Sequence, residues 1–329
     1  MKILYAIQGT GNGHVSRARE ILPYLSKYGE VDVLISGTHA EVGVGQPILY
    51  QYHGMGFKFG KNGGISMGES LKQLKPWQFI RDMFDLPVKS YDVLLNDFEP
   101  ISAYAAKKAG MPVHALSHQA AFLSSSCPRP AKKDRFAEWL FRKYAPSTHQ
   151  TAFHFKSYDS FIYSPVIRKE VRALYTSRQD HISVYLPAYE AKNLIPHFHA
   201  CSEVKWHLFS KHDQLEHWEK NVWIRPVNNE DFLSSLASSI GLLTGGGFES
   251  PAEALFLEKQ LLVIPMTNQY EQQCNAAALW QMGIPVVPQI DTNFSLELQQ
   301  WLRHPSEIHL SFPDQTEHLL EGILKSKIK

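Results

Sequence analysis

The chain has 329 residues, 44% hydrophobic and 20% charged, too long for one ordinary domain and enough to build two α/β cores. Lys and Arg total 33 against 32 Asp and Glu, a net charge of +1 that speaks against whole-surface attraction to nucleic acid. Cys127, Cys201 and Cys274 are odd in number, widely spaced and without a C-x-x-C pair, which excludes a disulfide framework and a zinc site of that kind.

From the amino terminus, Ile3–Ile7 predicts a buried strand, a glycine-rich turn follows, and a helix is expected over about Val15–Lys27. Val31–Ser36 and Tyr91–Leu95 read as further strands. The Ala-rich run Ile101–Ala109, closed by Gly110 and Pro112, predicts a helix with its stop signal. Val113–Leu116 and Phe161–Tyr163 return as strands, and this alternation predicts a parallel sheet covered by helices. Gly54–Gly68, with glycines at 54, 56, 60, 63, 64 and 68, is expected to be a long mobile loop beside a cleft.

Ser164-Pro165 breaks the chain, and the polar, basic stretch Val166–Arg178 reads as a linker. A second series runs through His181–Leu186, Glu203–Phe209, Val222–Arg225, Ile240–Thr244 and Leu261–Pro265. The expected organisation is a domain over residues 1–164, a linker over 165–178 and a second domain over 179–329 whose last helix packs back on the first. Two α/β halves facing a cleft is where small ligands bind. No run of about 18 apolar residues occurs, and Met1-Lys2-Ile3-Leu4-Tyr5 opens a strand in place of a signal peptide, so a cytoplasmic protein is expected.

The first turn reads Gln8-Gly9-Thr10-Gly11-Asn12-Gly13-His14. Gly11 and Gly13 let the backbone approach a ligand, and the helix that follows offers its amino terminus to negative charge. A dinucleotide fingerprint would need glycine where His14 stands, and the second strand ends at Ser36-Gly37 without an acidic residue, which speaks against a nicotinamide enzyme. His14 reads as a general base near neutral pH or as a surface or capping histidine.

The second turn is Thr244-Gly245-Gly246-Gly247-Phe248-Glu249-Ser250-Pro251-Ala252-Glu253, again between a strand and a helix. Three successive glycines point to a tight turn with close ligand approach. Ser250-Pro251-Ala252-Glu253 matches a capping box with proline at the first helical position; alternatively Glu253 accepts hydrogen bonds from a ribose. Downstream, Gln269, Gln272 and Asn275 recur every three residues, which places amides suited to sugar hydroxyls, or a solvated polar face, at the start of a helix.

In this order the strand, the glycine triplet, Glu253, the block Gln269-Tyr270-Glu271-Gln272-Gln273-Cys274-Asn275-Ala276 and Gly283 resemble the donor domain of GT-B glycosyltransferases. The type is that of the bacterial lipid-linked peptidoglycan N-acetylglucosaminyltransferase. Gly9–His14 resembles the start of the same family, although Asn12 separates two glycines that are usually adjacent, and Asn96–Pro100 and His118-Gln119 are similar to runs in other microbial members. The resemblance implies two Rossmann-like domains with parallel sheets facing an interdomain cleft. It implies that Gly246 and Gly247, with Phe248 beside them, face a diphosphate, that Glu253 holds the ribose, and that Gln269, Glu271, Gln272 and Asn275 meet the donor sugar. Asn229–Phe232, with Asn229 and Phe232 themselves as site residues, would line a uracil base; Glu99, His118 and Gln119 fall on the acceptor side. His14 would deprotonate the acceptor hydroxyl, with Asp97 as the rival base and, failing that, a cap for the helix near Ile101.

The expected reaction is inverting and needs neither metal nor cofactor, with a UDP-sugar as donor and a glycan or lipid-linked hydroxyl as acceptor. No Asp-x-Asp motif is present. A UDP-N-acetylglucosamine 2-epimerase and a non-catalytic nucleotide-sugar-binding protein are the alternatives; no nucleic-acid module appears. Residues 129–144 combine basic and aromatic side chains, which suits peripheral contact with the inner membrane face, although an ordinary amphipathic helix packed on the sheet is the preferred reading.

Overall fold

The structure, a computed structural model, describes residues 1–37, 43–54, 75–305 and 309–325. The expected Gly54–Gly68 loop therefore lies, from residue 55 onward, outside the described residues. The first half contains β1 (Lys2–Gln8), α1 (Asn12–Leu25), β2 (Glu30–Ser36), β3 (Tyr50–Tyr52), α2 (Pro76–Asp85), β4 (Val93–Asp97) and α3 (Pro100–Ala109). It continues with β5 (His114–Ser117), α4 (Arg135–Lys143), β6 (His149–Phe153), β7 (Ile162–Tyr163) and α5 (Lys169–Arg172). The second half contains β8 (His181–Tyr185), α6 (Ala191–His199), β9 (Lys205–Ser210), β10 (His217–Glu219), β11 (Val222–Pro226) and α7 (Asn229–Ser238). After these come β12 (Gly241–Gly245), α8 (Glu249–Phe256), β13 (Gln260–Ile264), α9 (Tyr270–Gln281), α10 (Phe294–Arg303) and α11 (Thr316–Lys325).

Among the described residues, seven strands form one sheet in the order β3-β2-β1-β4-β5-β6-β7, all parallel. Six form a second, β10-β11-β9-β8-β12-β13, parallel except for the β10–β11 hairpin. β1 shows why the sheet is covered on both faces: Ile3, Leu4, Tyr5, Ala6 and Ile7 are all fully buried, a continuous apolar run of the kind parallel strands need. In each sheet the strand order reverses once, between β1 and β4 and between β8 and β12. The crevice outside the carboxyl ends of strands at such a reversal is where α/β proteins bind ligands.

β3, β6 and β10 escaped the sequence reading. His149-Gln150-Thr151 and His217-Trp218-Glu219 are polar or exposed, and the pairing of each comes from a neighbouring strand, not from its own pattern. The stretch expected as a polar linker is also more structured than its composition suggests: Val166, Ile167 and Val171 are buried, and it holds the short helix α5. One apolar cluster runs through both halves, from Ile3, Val15 and Phe153 to Phe248, Ala252 and Val263. α11 lies against α1, with Lys27 Nζ 2.6 Å from Glu317 Oε1. Among the described residues no helix is long and apolar enough to cross a membrane.

Candidate active site

The site grows from the two reversal points. Gly9 leaves β1 with its N–H donating to Ser36 O at 2.7 Å. Gly11 takes φ +89°, a left-handed region that favours glycine, and α1 begins one residue later, earlier than the sequence suggested. This puts His14 in the first turn of α1 and Arg17 one turn deeper. Asp97 ends β4 directly opposite Ile7 of β1, so α1 crosses the carboxyl end of the strand that carries it. Phe98 follows with φ 57°, a strained value for a non-glycine residue. The Asn96 amide secures that corner, donating to Glu99 O at 2.7 Å and Ser102 Oγ at 2.9 Å and accepting from Glu99 N–H at 3.0 Å.

His14 Nδ1 stands 2.8 Å from Asp97 Oδ1. Burial pushes the Asp97 carboxyl up, but the Arg17 guanidinium and His14 outweigh it and hold the group below the usual carboxylate range. An ionised carboxylate only accepts, so Nδ1 carries the proton and the neutral ring keeps its lone pair on Nε2. Gln119 Nε2 points at that nitrogen from 3.4 Å and donates to both carboxylate oxygens of Glu271 at 3.2 Å. The two rival bases of the sequence are thus one hydrogen-bonded pair. Asp97 does not cap α3; Glu99 does, accepting from Ile101 N–H at 2.7 Å and Ser102 N–H at 2.6 Å.

Arg17 is one candidate-site residue that the sequence reading missed. Its side chain is 2% exposed and grips Asp97 through Nε (3.1 Å) and Nη2 (2.8 and 2.9 Å), while Nη1 donates to Glu249 Oε1 at 2.6 Å. The available signal was its spacing: a cation three residues after His14 on the helix face of Val15, Ala18, Ile21 and Leu22. Arginine is almost never fully buried unless paired, so that position demanded carboxylates. Glu249, also missed, is held in a recess; burial pushes its carboxyl up to about 7 against the pull of Arg17, with Glu253 and Asp97 adding to the rise.

At the second turn Gly246 and Gly247 do different jobs. A Cβ on Gly246 would stand 2.7 Å from Gln272 O, so close packing on the start of α9 requires glycine there. Gly246 N–H donates to Gln272 Oε1 at 3.1 Å and its carbonyl accepts from Asn275 Nδ2 at 3.0 Å. Gly247 has open space around the same position. α8 opens at Glu249 without a side-chain cap, so the capping box does not form: Ser250 is already helical, and the Glu253 carboxylate is taken by Arg168 at 2.5 and 2.8 Å.

Several expected ligand contacts belong instead to the framework. Asn275 is fully buried, and its Oδ1 lies 2.8 Å from His118 Nε2. His118 is itself 1% exposed, with Nδ1 2.9 Å from Phe153 O and its ring stacked 3.8 Å from that of the buried Phe248. Burial pushes the His118 ring down to about 4 despite Glu271, so it is neutral at ordinary pH. Glu99 is fully buried as the α3 cap. With neither exposed surface nor a spare polar face, Asn275, His118 and Glu99 brace the turns and do not reach into the cleft. Gln272 spends its Oε1 on Gly246 N–H and on Met266 N–H at 3.0 Å.

Gln119 Oε1 and Gln269 Oε1 are buried acceptors without a partner among the described residues. Asn229, exposed at the start of α7, accepts from Arg168 Nη1 at 2.8 Å, and Phe232 lies edge-on to Phe209, ring centres 5.3 Å apart. Arg168 thereby joins Asn229 to Glu253. The chemistry such a site can perform is proton removal by Nε2 of an imidazole oriented by a buried carboxylate, next to a helix amino terminus from the other half.

The family model described as glycosyl transferase family 1 matches residues 1–301. Among solved structures, the fold is similar to that of a UDP-glucosyltransferase from Polygonum tinctorium (TM-score 0.64, 12% identity, 100% of this chain and 98% of that one). MurG from Acinetobacter baumannii aligns with TM-score 0.62 and 14% identity over 99% and 100% of the chains. The glycosyltransferase SnogD from Streptomyces nogalater aligns with TM-score 0.56 and 13% identity over 99% of each. At these identities the likeness is one of fold, and the fold is GT-B. No curated protein matches the sequence.

Proposed function

Because this chain belongs to glycosyl transferase family 1, we propose that it moves a sugar, with inversion, from a UDP-sugar to a hydroxyl of a glycan or lipid-linked acceptor. The observation that carries this reading is the His14–Asp97 pair at the end of β4, whose Nε2 faces the Gln119 amide beside the donor-side turn. The acceptor hydroxyl gives its proton to Nε2 as its oxygen bonds to the anomeric carbon. The bond from that carbon to the diphosphate breaks in the same displacement, and UDP leaves. Asp97 stabilises the imidazolium. The leaving diphosphate meets the N–H groups at the start of α8, next to the unencumbered Gly247.

The two unpartnered amide oxygens of Gln119 and Gln269 suit sugar hydroxyls, and the Gln119 amide nitrogen links Glu271 to His14. The ribose and base fall to Glu253, Arg168, Asn229 and Phe232. The step requires no resident metal or cofactor, since the charge on the leaving group is met by backbone N–H groups. A lipid-linked acceptor fits α4, whose Ala137 and Phe141 are buried while Phe136 and Trp139 stay exposed and stacked beside Arg135 and Arg142. Trp139→Ser should then lower binding to phosphatidylserine vesicles several-fold; equal binding by wild type and variant would remove the membrane contact.

The direct test is calorimetry with UDP and UDP-sugars, followed by His14→Ala. UDP should bind wild type and variant alike, while transfer falls about 10²- to 10⁴-fold in the variant. A folded protein indifferent to every uridine nucleotide would refute the donor reading. Interconversion of two UDP-sugars without an acceptor would show an epimerase.

A further inference from the structure

Two carboxylates, one from each half of the molecule, close on a single guanidinium. Arg17 of α1 holds Asp97 of β4 with two nitrogens and Glu249 of α8 with the third. The approach is tight: a Cβ on Gly13 would stand 3.2 Å from Glu249 Cγ, so the start of α8 reaches α1 where its first turn lacks a side chain. Asp97 and Arg17 alone cancel in charge and leave nothing over to compensate a proton arriving on His14. An ionised Glu249 brings the cluster to a net charge of −1, and a protonated His14 returns it to zero. Inside a protein, where charges are weakly screened, that difference favours uptake of the proton.

We propose that Glu249, held against α1 by Arg17, is a positioning residue that raises the proton affinity of the His14–Asp97 pair from the other half of the molecule. Glu249 is the one of the four that comes from the second half. The groups that face it are Arg17, Asp97, His14 and the buried phenol of Tyr5 from the first half, and Glu253 one turn along α8, itself paired with Arg168. The carboxyl is held near 7, so its charge is present above neutrality and withdrawn below it. Glu249 also opens the helix whose amino terminus takes the diphosphate, a placement that rests on the donor reading proposed above. A carboxylate there opposes anion binding, so its removal separates the two effects: the base weakens while nucleotide affinity holds or rises.

The test uses the full chain with ¹⁵N-labelled histidine, the His14 ring signals being assigned with His14→Gln. Glu249→Gln, which keeps Asp97 paired with Arg17, should move the His14 titration to lower pH by about half a unit, a roughly threefold loss of proton affinity. Its UDP affinity by calorimetry should equal or exceed that of wild type. In an Arg17→Lys background, whose single ammonium cannot span both carboxylates, adding Glu249→Gln should produce less than half of that displacement. Should Arg17→Lys fail to fold, Glu249→Asp takes its place, with a displacement between zero and that of Glu249→Gln expected. A His14 titration in Glu249→Gln within about 0.1 unit of wild type, or a full displacement in the Arg17→Lys background, overturns the coupling. Absence of UDP binding by wild type would overturn the donor reading while the His14 displacement, measured without nucleotide, still decides this one.

Discussion

Asp97 shows how much hangs on a single oxygen. Its carboxylate accepts from His14 Nδ1 and from Arg17, and an amide in its place could donate to Nδ1 and leave the proton on Nε2. Asp97→Asn should therefore lower the transfer rate at least about 10²-fold with UDP affinity unchanged; kinetics together with calorimetry checks both halves of that statement. His118 makes a stability prediction. Its folded ring titrates near 4 against an ordinary 6.5, so on acidification the unfolded chain takes up the proton first. Its contribution is whole above 6.5 and lost between 6.5 and 4, at most about 3 kcal/mol. Glu249 runs the other way: raised from 4.5 to about 7, it favours the folded state at low pH and loses that effect as pH rises through 7. Urea midpoints at several pH values between 4 and 7 should fall less steeply for His118→Gln than for wild type on the acid side. The glycine turn made His14 legible in the sequence. Its tautomer was not, because that is set by a residue 83 positions away.

Among the elements, α8 carries the sharpest lesson. Ser250-Pro251-Ala252-Glu253 has the spelling of a capping box, but the helix begins at Glu249 and Glu253 faces Arg168. The buried carboxylate found a charged partner across the molecule, and a charge-assisted bidentate pair outweighs a neutral backbone cap. The glycines before it separate in a paired experiment. Gly246→Ala drives a Cβ into Gln272 O and should cost about 1–3 kcal/mol, read as a lower Tm. Gly247→Ala meets nothing and should keep the wild-type Tm while weakening UDP binding, since only the second position lies open to a ligand. Equal Tm losses in both would contradict this division. α4 joins two readings kept apart in the sequence, an amphipathic helix packed through Ala137 and Phe141 that still exposes Phe136 and Trp139.

At the scale of the molecule, the halves are joined by more than the connecting segment. Gln119 reaches Glu271, Tyr270 donates to Glu138 Oε1 at 2.7 Å, Arg168 holds Glu253, and the apolar cluster of Ile3 and Val15 continues into Phe248 and Val263. A shared core argues against independent unfolding of the two sheets. Thermal unfolding followed by circular dichroism and by tryptophan fluorescence should give coincident transitions. Separate midpoints would mean that the cluster does not couple the halves.

The sequence by itself determined the α/β class, the repetition of a parallel-sheet half, and the two glycine turns from which the site is built. Those signals are local: apolar runs of strand length, stop signals such as Gly110 and Pro112, and turns that only glycine can make. Tertiary structure decided which charged groups meet. Arg17 finds Asp97 80 residues away and Glu249 232 residues away, because the strand reversal between β1 and β4 sets α1 across the end of β4 and the core shared by the two halves sets α8 against it. No periodicity records such a meeting, and it is the meeting that fixes which nitrogen of His14 faces Asp97.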